Sequence, residues 1–165
     1  MTRLLGIDLG QRRVGLALGD EDGSAARPQA TIRRGRTIDD DEVALRAIVA
    51  AEGIEALVIG LPLEASGADG PQAALTRVWA DAVGERLGLP VTLRDERLSS
   101  HLAETRLGPM KRGRSGGPPS KTQRDAHRAR VDREAAAIIL QDELDTRAGL
   151  RSSTTRSPDP QESST

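Results

Sequence analysis

Three acidic side chains and a cluster of basic ones carry the chemistry that this chain can perform. Asp8 ends the apolar run Leu4-Leu5-Gly6-Ile7, and ionised carboxylates are rarely buried unless they are paired or bound to a cation. Gly6 and Gly10 flank it and leave open space above it. Asp95 and Glu96 follow the short run Val91-Thr92-Leu93. Successive residues leaving a strand face opposite ways, so one of this pair points toward Asp8 and the other away. Asp132 opens the most apolar part of the C-terminal half, with Ala136 and Ile139 on its helical face. Taken alone, Asp132 could simply pair with Arg128 one turn earlier. Three carboxylates in one cleft would repel one another unless a cation neutralised them. Oxygen ligands select hard ions such as Mg²⁺ or Mn²⁺, and paired ions of that kind can activate water and stabilise the leaving oxygen of a phosphodiester.

Between Pro109 and Arg130 the chain carries Lys111, Arg112, Arg114, Lys121, Arg124, Arg128 and Arg130 against the single acid Asp125. That block is net +6 and leaves −7 for the remainder of a chain whose overall charge is −1. A local positive block on a mildly acidic body suits contact with phosphates. The chain has no Phe or Tyr and one Trp. Reading of single-stranded bases usually uses aromatic stacking, so the expected grip is on backbone and shape. Without Cys there is neither a disulfide framework nor a thiolate zinc site, and two His argue against a His-rich one. No Ser-His-Asp or Cys-His set competes. Asp8 interrupts the early apolar run, no signal pattern is visible, and no stretch reaches the ~18 apolar residues of a membrane helix. A soluble cytoplasmic protein is expected.

The elements that must position these groups follow from periodicity. Leu4–Leu9 and Val14–Leu18 form a hairpin about Gly10-Gln11-Arg12-Arg13, and residues 29–34 a third strand. One of Asp39, Asp40 and Asp41 caps a helix bearing Leu45, Ile48 and Val49 that ends at Gly53. Residues 55–60 form a central strand. Pro71 opens a second helix whose expected buried stripe is Leu75, Val78, Trp79 and Ala82, with Trp79 in the core. Val91–Leu93 is a fifth strand. Ser99 or Ser100 caps a short helix with Leu102, Ala103 and Leu107, and Gly113–Ser120 is expected to be mobile. A long helix covers 122–147 and Gly149 ends it. The expected organisation is one domain over 1–148, with a mobile basic loop at about 109–125, and a disordered Ser/Thr/Pro-rich tail over 149–165. Strand-helix-strand connections imply parallel pairing in the second half. The fold class is α/β: a five-stranded mixed sheet, antiparallel meander then parallel strands, flanked by helices. Its first, fourth and fifth strands bring their C-terminal ends together, where ligands collect.

Four blocks carry a resemblance: Gly6-Ile7-Asp8-Leu9-Gly10 with Arg13–Ala17, Val58–Leu63, Asp95–Ser99, and Val131–Leu140. In this order they resemble the YqgF/RuvX-type family, described as pre-16S rRNA nucleases and earlier as Holliday-junction resolvase-like proteins. The likeness spans about residues 3–147. It implies an RNase H-like fold and a divalent-metal nuclease acting in maturation of the 5′ end of small-subunit rRNA. It carries a metal-binding catalytic triad onto Asp8, Glu96 and Asp132, favouring Glu96 over Asp95 as the inward carboxylate. Arg13 and Arg97 would then stand near the phosphate, with Lys111, Arg112, Arg114, Lys121 and Arg124 as further substrate contacts. Implied partners are precursor rRNA, branched DNA as a second substrate class, and ribosomal particles, for a monomer or homodimer. The loop between Gly108 and Arg124 and the tail depart from the family pattern. Three rivals stand beside this reading: a junction resolvase, a non-catalytic ribosome-assembly module, and a sugar-kinase or actin-like phosphate loop. The last needs a second domain, for which 165 residues leave no room.

Overall fold

The computed structural model describes residues 2–23 and 25–154. Strands β1 (Arg3–Leu9), β2 (Arg13–Asp20) and β3 (Arg27–Arg33) form an antiparallel meander. Helix α1 (Ile38–Glu52), strand β4 (Ala56–Leu61), helix α2 (Pro71–Leu87) and strand β5 (Val91–Asp95) follow. Helices α3 (Ser99–Leu107) and α4 (Lys121–Thr154) complete the order. The sheet runs β3-β2-β1-β4-β5, with β4 parallel to both β1 and β5. This is the expected mixed sheet.

Alternation along β1 divides the core between two faces. Leu5 and Ile7 pack with Leu45 of α1 and with Trp79, Ala80 and Val83 of α2. Leu4 faces the other way, into a layer made with Ala136, Ala137, Ile139 and Leu140 of α4. Asp8 shares that second face by period two. Val131 and Ala135 of α4 bury Ala103 of α3 in a small satellite cluster. The sheet is thus sandwiched, and among the described residues α4 is the one long helix on the face to which Asp8 belongs.

Close approach of α4 depends on missing side chains. A Cβ at Gly15 would overlap the carbonyl of Asp132 itself, and one at Gly6 would meet Leu140 Cβ at 2.7 Å. The Thr31 hydroxyl donates to the Ala129 carbonyl at 2.5 Å, which fixes the height of α4 along the sheet just before Asp132.

Several local expectations are corrected. Thr37, and none of the three Asp residues, caps α1, in a reciprocal capping box with Asp40. Asp41 turns inward instead: 2% exposed, it accepts from Trp79 Nε1 at 3.0 Å and from the Gly35 N–H at 2.7 Å. Satisfying that carboxylate sets the rotation of α2. Two helical stripes contain Trp79, and the buried one is Ala73, Thr76, Ala80 and Val83. Leu75 and Val78 are each 63% exposed. Trp79 is in the core, as expected. No Ser side chain caps α3; Ser99 is its first residue and donates its hydroxyl to the Glu96 carbonyl at 2.9 Å. Leu102 is exposed, at 46%.

Helix α4 starts at Lys121 because Ser120 and Gln123 cap each other reciprocally, so Lys121 and Arg124 stand on its first turns and not in the loop. It also runs through Gly149 to Thr154. Gly within a helix costs only about 1 kcal/mol, and Arg147 and Arg151 both reach Glu21, holding the helix on either side of that glycine. The rest of the expected tail, 155–165, lies outside the described residues, as does Ser24 of the expected turn.

Candidate active site

Asp8 leaves β1 beside the end of β4, and Glu96 follows β5 on the far side of β4. Two backbone bonds hold Glu96 there: its N–H donates to the Leu61 carbonyl at 3.2 Å, and its carbonyl accepts from the Ser99 N–H at 3.0 Å. Its side chain lies across Gly60, where a Cβ would overlap Oε2. Gly60 is therefore the seat of the carboxylate. Asp95 points elsewhere and pairs with Arg97 at 2.7 Å.

The Asp8 and Glu96 carboxyls stand close enough to shift each other's titration. Burial pushes the Asp8 carboxyl up to about 6, the adjacent Glu96 carboxyl partly offsets this, and the Asp132 charge adds to it. Glu96 is pushed up to about 9, first by burial, then by the charge and closeness of Asp8, with Asp95 contributing. Of the two, Glu96 is the carboxyl whose burial and acidic neighbours keep it neutral to the higher pH. The second Glu96 oxygen, Oε2, is buried with no hydrogen-bond partner.

Asp132 comes within electrostatic reach of Asp8, as its place on α4 requires. The alternative pairing with Arg128 is not formed: Arg13 Nε donates to Asp132 Oδ2 at 2.6 Å across from β2. Arg13 thus supplies the counter-charge at the third carboxylate. In consequence, no three acidic or His side chains among the described residues stand ready to hold one ion together. The donor chemistry nevertheless fits a hard cation. Two neighbouring carboxyls in a half-buried cleft, one with an orphaned oxygen, are oxygen ligands that such an ion would take. Mg²⁺ needs only one or two carboxylates when water and phosphate fill its remaining positions.

The basic residues divide in two. Lys111, Arg112 and Arg114 are exposed in the connection between α3 and α4 and make no ion pair among the described residues. Lys121 pairs with Asp125 at 3.8 Å, and Arg124 donates to the Pro119 carbonyl at 2.6 Å. Arg97, held by Asp95, also donates to the Ala65 carbonyl at 3.3 Å and lines a separate hollow with Leu63 and Leu98.

A cavity of ≈ 790 Å³ opens between α3 and α4 and reaches Arg13 and Asp132. His101, His127 and Met110 line it, none of which stood out in the sequence as a site residue. Their signal was available: these are the chain's two His residues, one on each helix flanking the basic connection.

The family model described as "RuvX: Holliday junction resolvase" matches residues 2–146. The chain belongs to the RuvX family. A relative from Anaeromyxobacter dehalogenans (strain 2CP-1 / ATCC BAA-258), named "Putative pre-16S rRNA nuclease", is 44% identical over 146 residues, covering 88% of this chain and 98% of the relative. One of the same name from Thermosynechococcus vestitus is 38% identical over 161 residues and covers 98% and 99% of the two chains. Among solved structures, T. thermophilus RuvC in complex with Holliday junction substrate superposes with a TM-score of 0.52 at 14% identity, over 90% of this chain and 97% of that one. RuvC is RNase H-like, and so is the fold of this RuvX-family chain. Both names belong to nucleases, enzymes that hydrolyse phosphodiester bonds.

Proposed function

We propose that this chain is a divalent-metal-dependent nuclease that hydrolyses phosphodiester bonds in precursor 16S rRNA, in maturation of its 5′ end, in the cytoplasm and in contact with ribosomal particles. One observation carries the reading: Glu96 Oε2 is buried with no hydrogen-bond partner, beside the Asp8 carboxyl at the strand ends. A purely structural carboxyl pair would have that oxygen satisfied.

Asp8, Glu96 and Asp132 would hold Mg²⁺ or Mn²⁺, which when bound lowers the pKa of its water and offsets charge on the phosphodiester oxygens. This chain's residues do the remaining work. Glu96 releases its proton when the site is loaded, and Gly60 leaves room for its carboxylate. Arg13, freed from Asp132 by the phosphate's own charge, moves to the phosphate it can grip by paired hydrogen bonds. Arg97 bounds the separate hollow that it lines with Leu63 and Leu98. Lys111, Arg112 and Arg114, with no partners to give up, hold the flanking backbone, and Lys121 and Arg124 extend that surface along α4.

The test is incubation of the purified protein with a precursor 16S rRNA fragment and with four-way junction DNA, each with Mn²⁺ and with chelator. Mn²⁺-dependent cleavage of the RNA, lost in Asp8→Asn, is the expected result. Cleavage of the junction alone would establish the resolvase reading. Binding of rRNA without cleavage by either protein would make this a non-catalytic assembly module.

A further inference from the structure

We infer that the cavity between α3 and α4 takes one unpaired nucleotide of the substrate strand, so that the enzyme selects single-stranded over duplex nucleic acid beside the bond it cuts. This rests on the nuclease reading for its substrate class. It goes further by assigning a base-binding role to the cavity that adjoins the carboxylate cleft at Arg13 and Asp132.

Position, size and lining each point that way. The cavity reaches Arg13 and Asp132 at one end, so a nucleotide in it would be continuous with a phosphate at the carboxylates. Its volume of ≈ 790 Å³ lies within the ~300–1,000 Å³ of sites that enclose small molecules. A duplex presents convex backbone with its bases stacked inside, and cannot fill such a hollow without unpairing. A splayed-out nucleotide can enter it.

The lining is that of a stacking site built without the usual rings. The chain has no Phe or Tyr, and Trp79 is buried on the other face of the sheet. The aromatic rings left for a ligand are the imidazoles of His101 and His127, and both line this one cavity. His rings and Arg guanidinium planes both stack on unpaired bases, and Arg128 lies among them. Pro109, Met110 and Val131 add an apolar wall, with the Met thioether able to adapt to any base. Such a site is tolerant of sequence, because every base has a π-face. The expectation that the chain holds only backbone is thus revised at this one place. Arg128, unpaired from Asp132, is free to do this work.

The experiment measures binding without divalent ions, so that no strand is cut. A labelled RNA of about 15 nucleotides and a duplex of the same sequence are titrated with the wild-type protein and with the His101→Ala/His127→Ala double variant. The wild type is expected to bind the single strand about tenfold more tightly than the duplex, and the double variant to bind both alike. Equal binding by the wild type, or a preference kept by the double variant, overturns the inference. A second measurement needs no variant. In a series of RNAs each carrying one abasic position, a single position is expected to weaken wild-type binding about tenfold; a uniform response overturns the pocket. Failure here is distinct from failure of the nuclease reading. A protein that cuts RNA with Mn²⁺ but shows no strand preference loses only the pocket, whereas one that prefers single strands but cuts nothing loses only the hydrolysis.

Discussion

Arg13 Nε lies 2.6 Å from Asp132 Oδ2, so the third carboxylate of the site is held by a cation from β2. Side chains of both residues are partly exposed, at 28% and 22%, which leaves the pair open to exchange with a charged substrate. While Arg13 occupies Asp132, a metal ion must compete with a guanidinium for that ligand. Arg13→Gln is therefore expected to tighten Mn²⁺ binding several-fold in the absence of nucleic acid, because an opposing positive charge is gone. Cleavage should fall tenfold or more, since the phosphate loses a bidentate partner. Calorimetric titration of Mn²⁺ into both proteins decides the first point. Unchanged or weaker binding would show that the pair does not restrain Asp132.

The Asp8–Glu96 pair makes the metal-free protein sensitive to alkali. Both folded-state pKa values are raised, from 3.8 to about 6 and from 4.5 to about 9. A carboxyl of that kind favours folding while protonated. Its contribution is complete below the unfolded value and is lost as pH rises through the folded one. Metal-free protein should thus lose thermal stability between about pH 4 and pH 9. Glu96→Gln should flatten that slope and melt higher at pH 8, by roughly 2–4 °C for each kcal/mol of relieved strain. Added Mn²⁺ should raise the wild-type Tm and leave the variant's nearly unmoved. Melting curves across pH, with and without Mn²⁺, check all three; a metal-free wild type whose Tm does not fall between about pH 4 and pH 9 would contradict the raised carboxyls.

The sheet was legible because it depends on short-range signals. Apolar runs marked the strands, and alternation at the end of β5 showed that Asp95 and Glu96 must part, while only the family resemblance chose Glu96 as the inward one. What escaped were choices between equivalent local patterns. Asp132 had a cation one helical turn away in Arg128 and another across space in Arg13, and nothing in the spacing of residues 128 and 132 reveals the latter. Likewise two stripes of α2 contain Trp79, and the selection of Ala73, Thr76, Ala80 and Val83 follows from the Trp79 Nε1 bond to Asp41, a contact across 38 residues. Gly149 read as a helix end, yet the Arg147 and Arg151 contacts to Glu21 outweigh one glycine.

Asp41 itself is the hub of that misread region. It accepts from Gly35 and Trp79, and Arg34 Nε approaches it at 3.5 Å. Arg34 in turn donates to the Gly10 carbonyl at 3.0 Å, in the turn that follows Asp8. Asp41→Ala would strand a buried indole N–H and an amide and is expected to cost about 3–5 kcal/mol, read as a fall in the urea midpoint at unchanged m-value. A loss below about 1 kcal/mol would mean that water replaces the carboxylate.

Exposed cations in the connection between α3 and α4 have nothing to lose on substitution. Replacing Lys111, Arg112 and Arg114 together by Gln should leave Tm unchanged. The slope of log Kd against log salt for single-stranded RNA should fall by about 2, at roughly 0.7 per phosphate contact. Anisotropy titrations over a range of KCl concentrations measure it. An unaltered slope would place the backbone grip elsewhere on the surface.

Gly15 and Gly60 separate stability from catalysis within the same layer. A methyl group at Gly15 meets the backbone of α4 at Asp132 and Arg133, and backbone cannot step aside without moving the helix. Gly15→Ala is therefore expected to destabilise by about 1–3 kcal/mol. At Gly60 the methyl meets the Glu96 carboxylate and Ile139 Cδ1, the outer ends of two side chains that can rotate. Gly60→Ala should fold with little loss of Tm, yet push Glu96 away from Asp8 and lower kcat by a hundredfold or more, since displacement of about 1 Å at a reacting centre has that effect. Parallel melting and cleavage assays on the two variants provide the comparison. If Gly60→Ala retained wild-type cleavage, Glu96 would have no part in holding the ion.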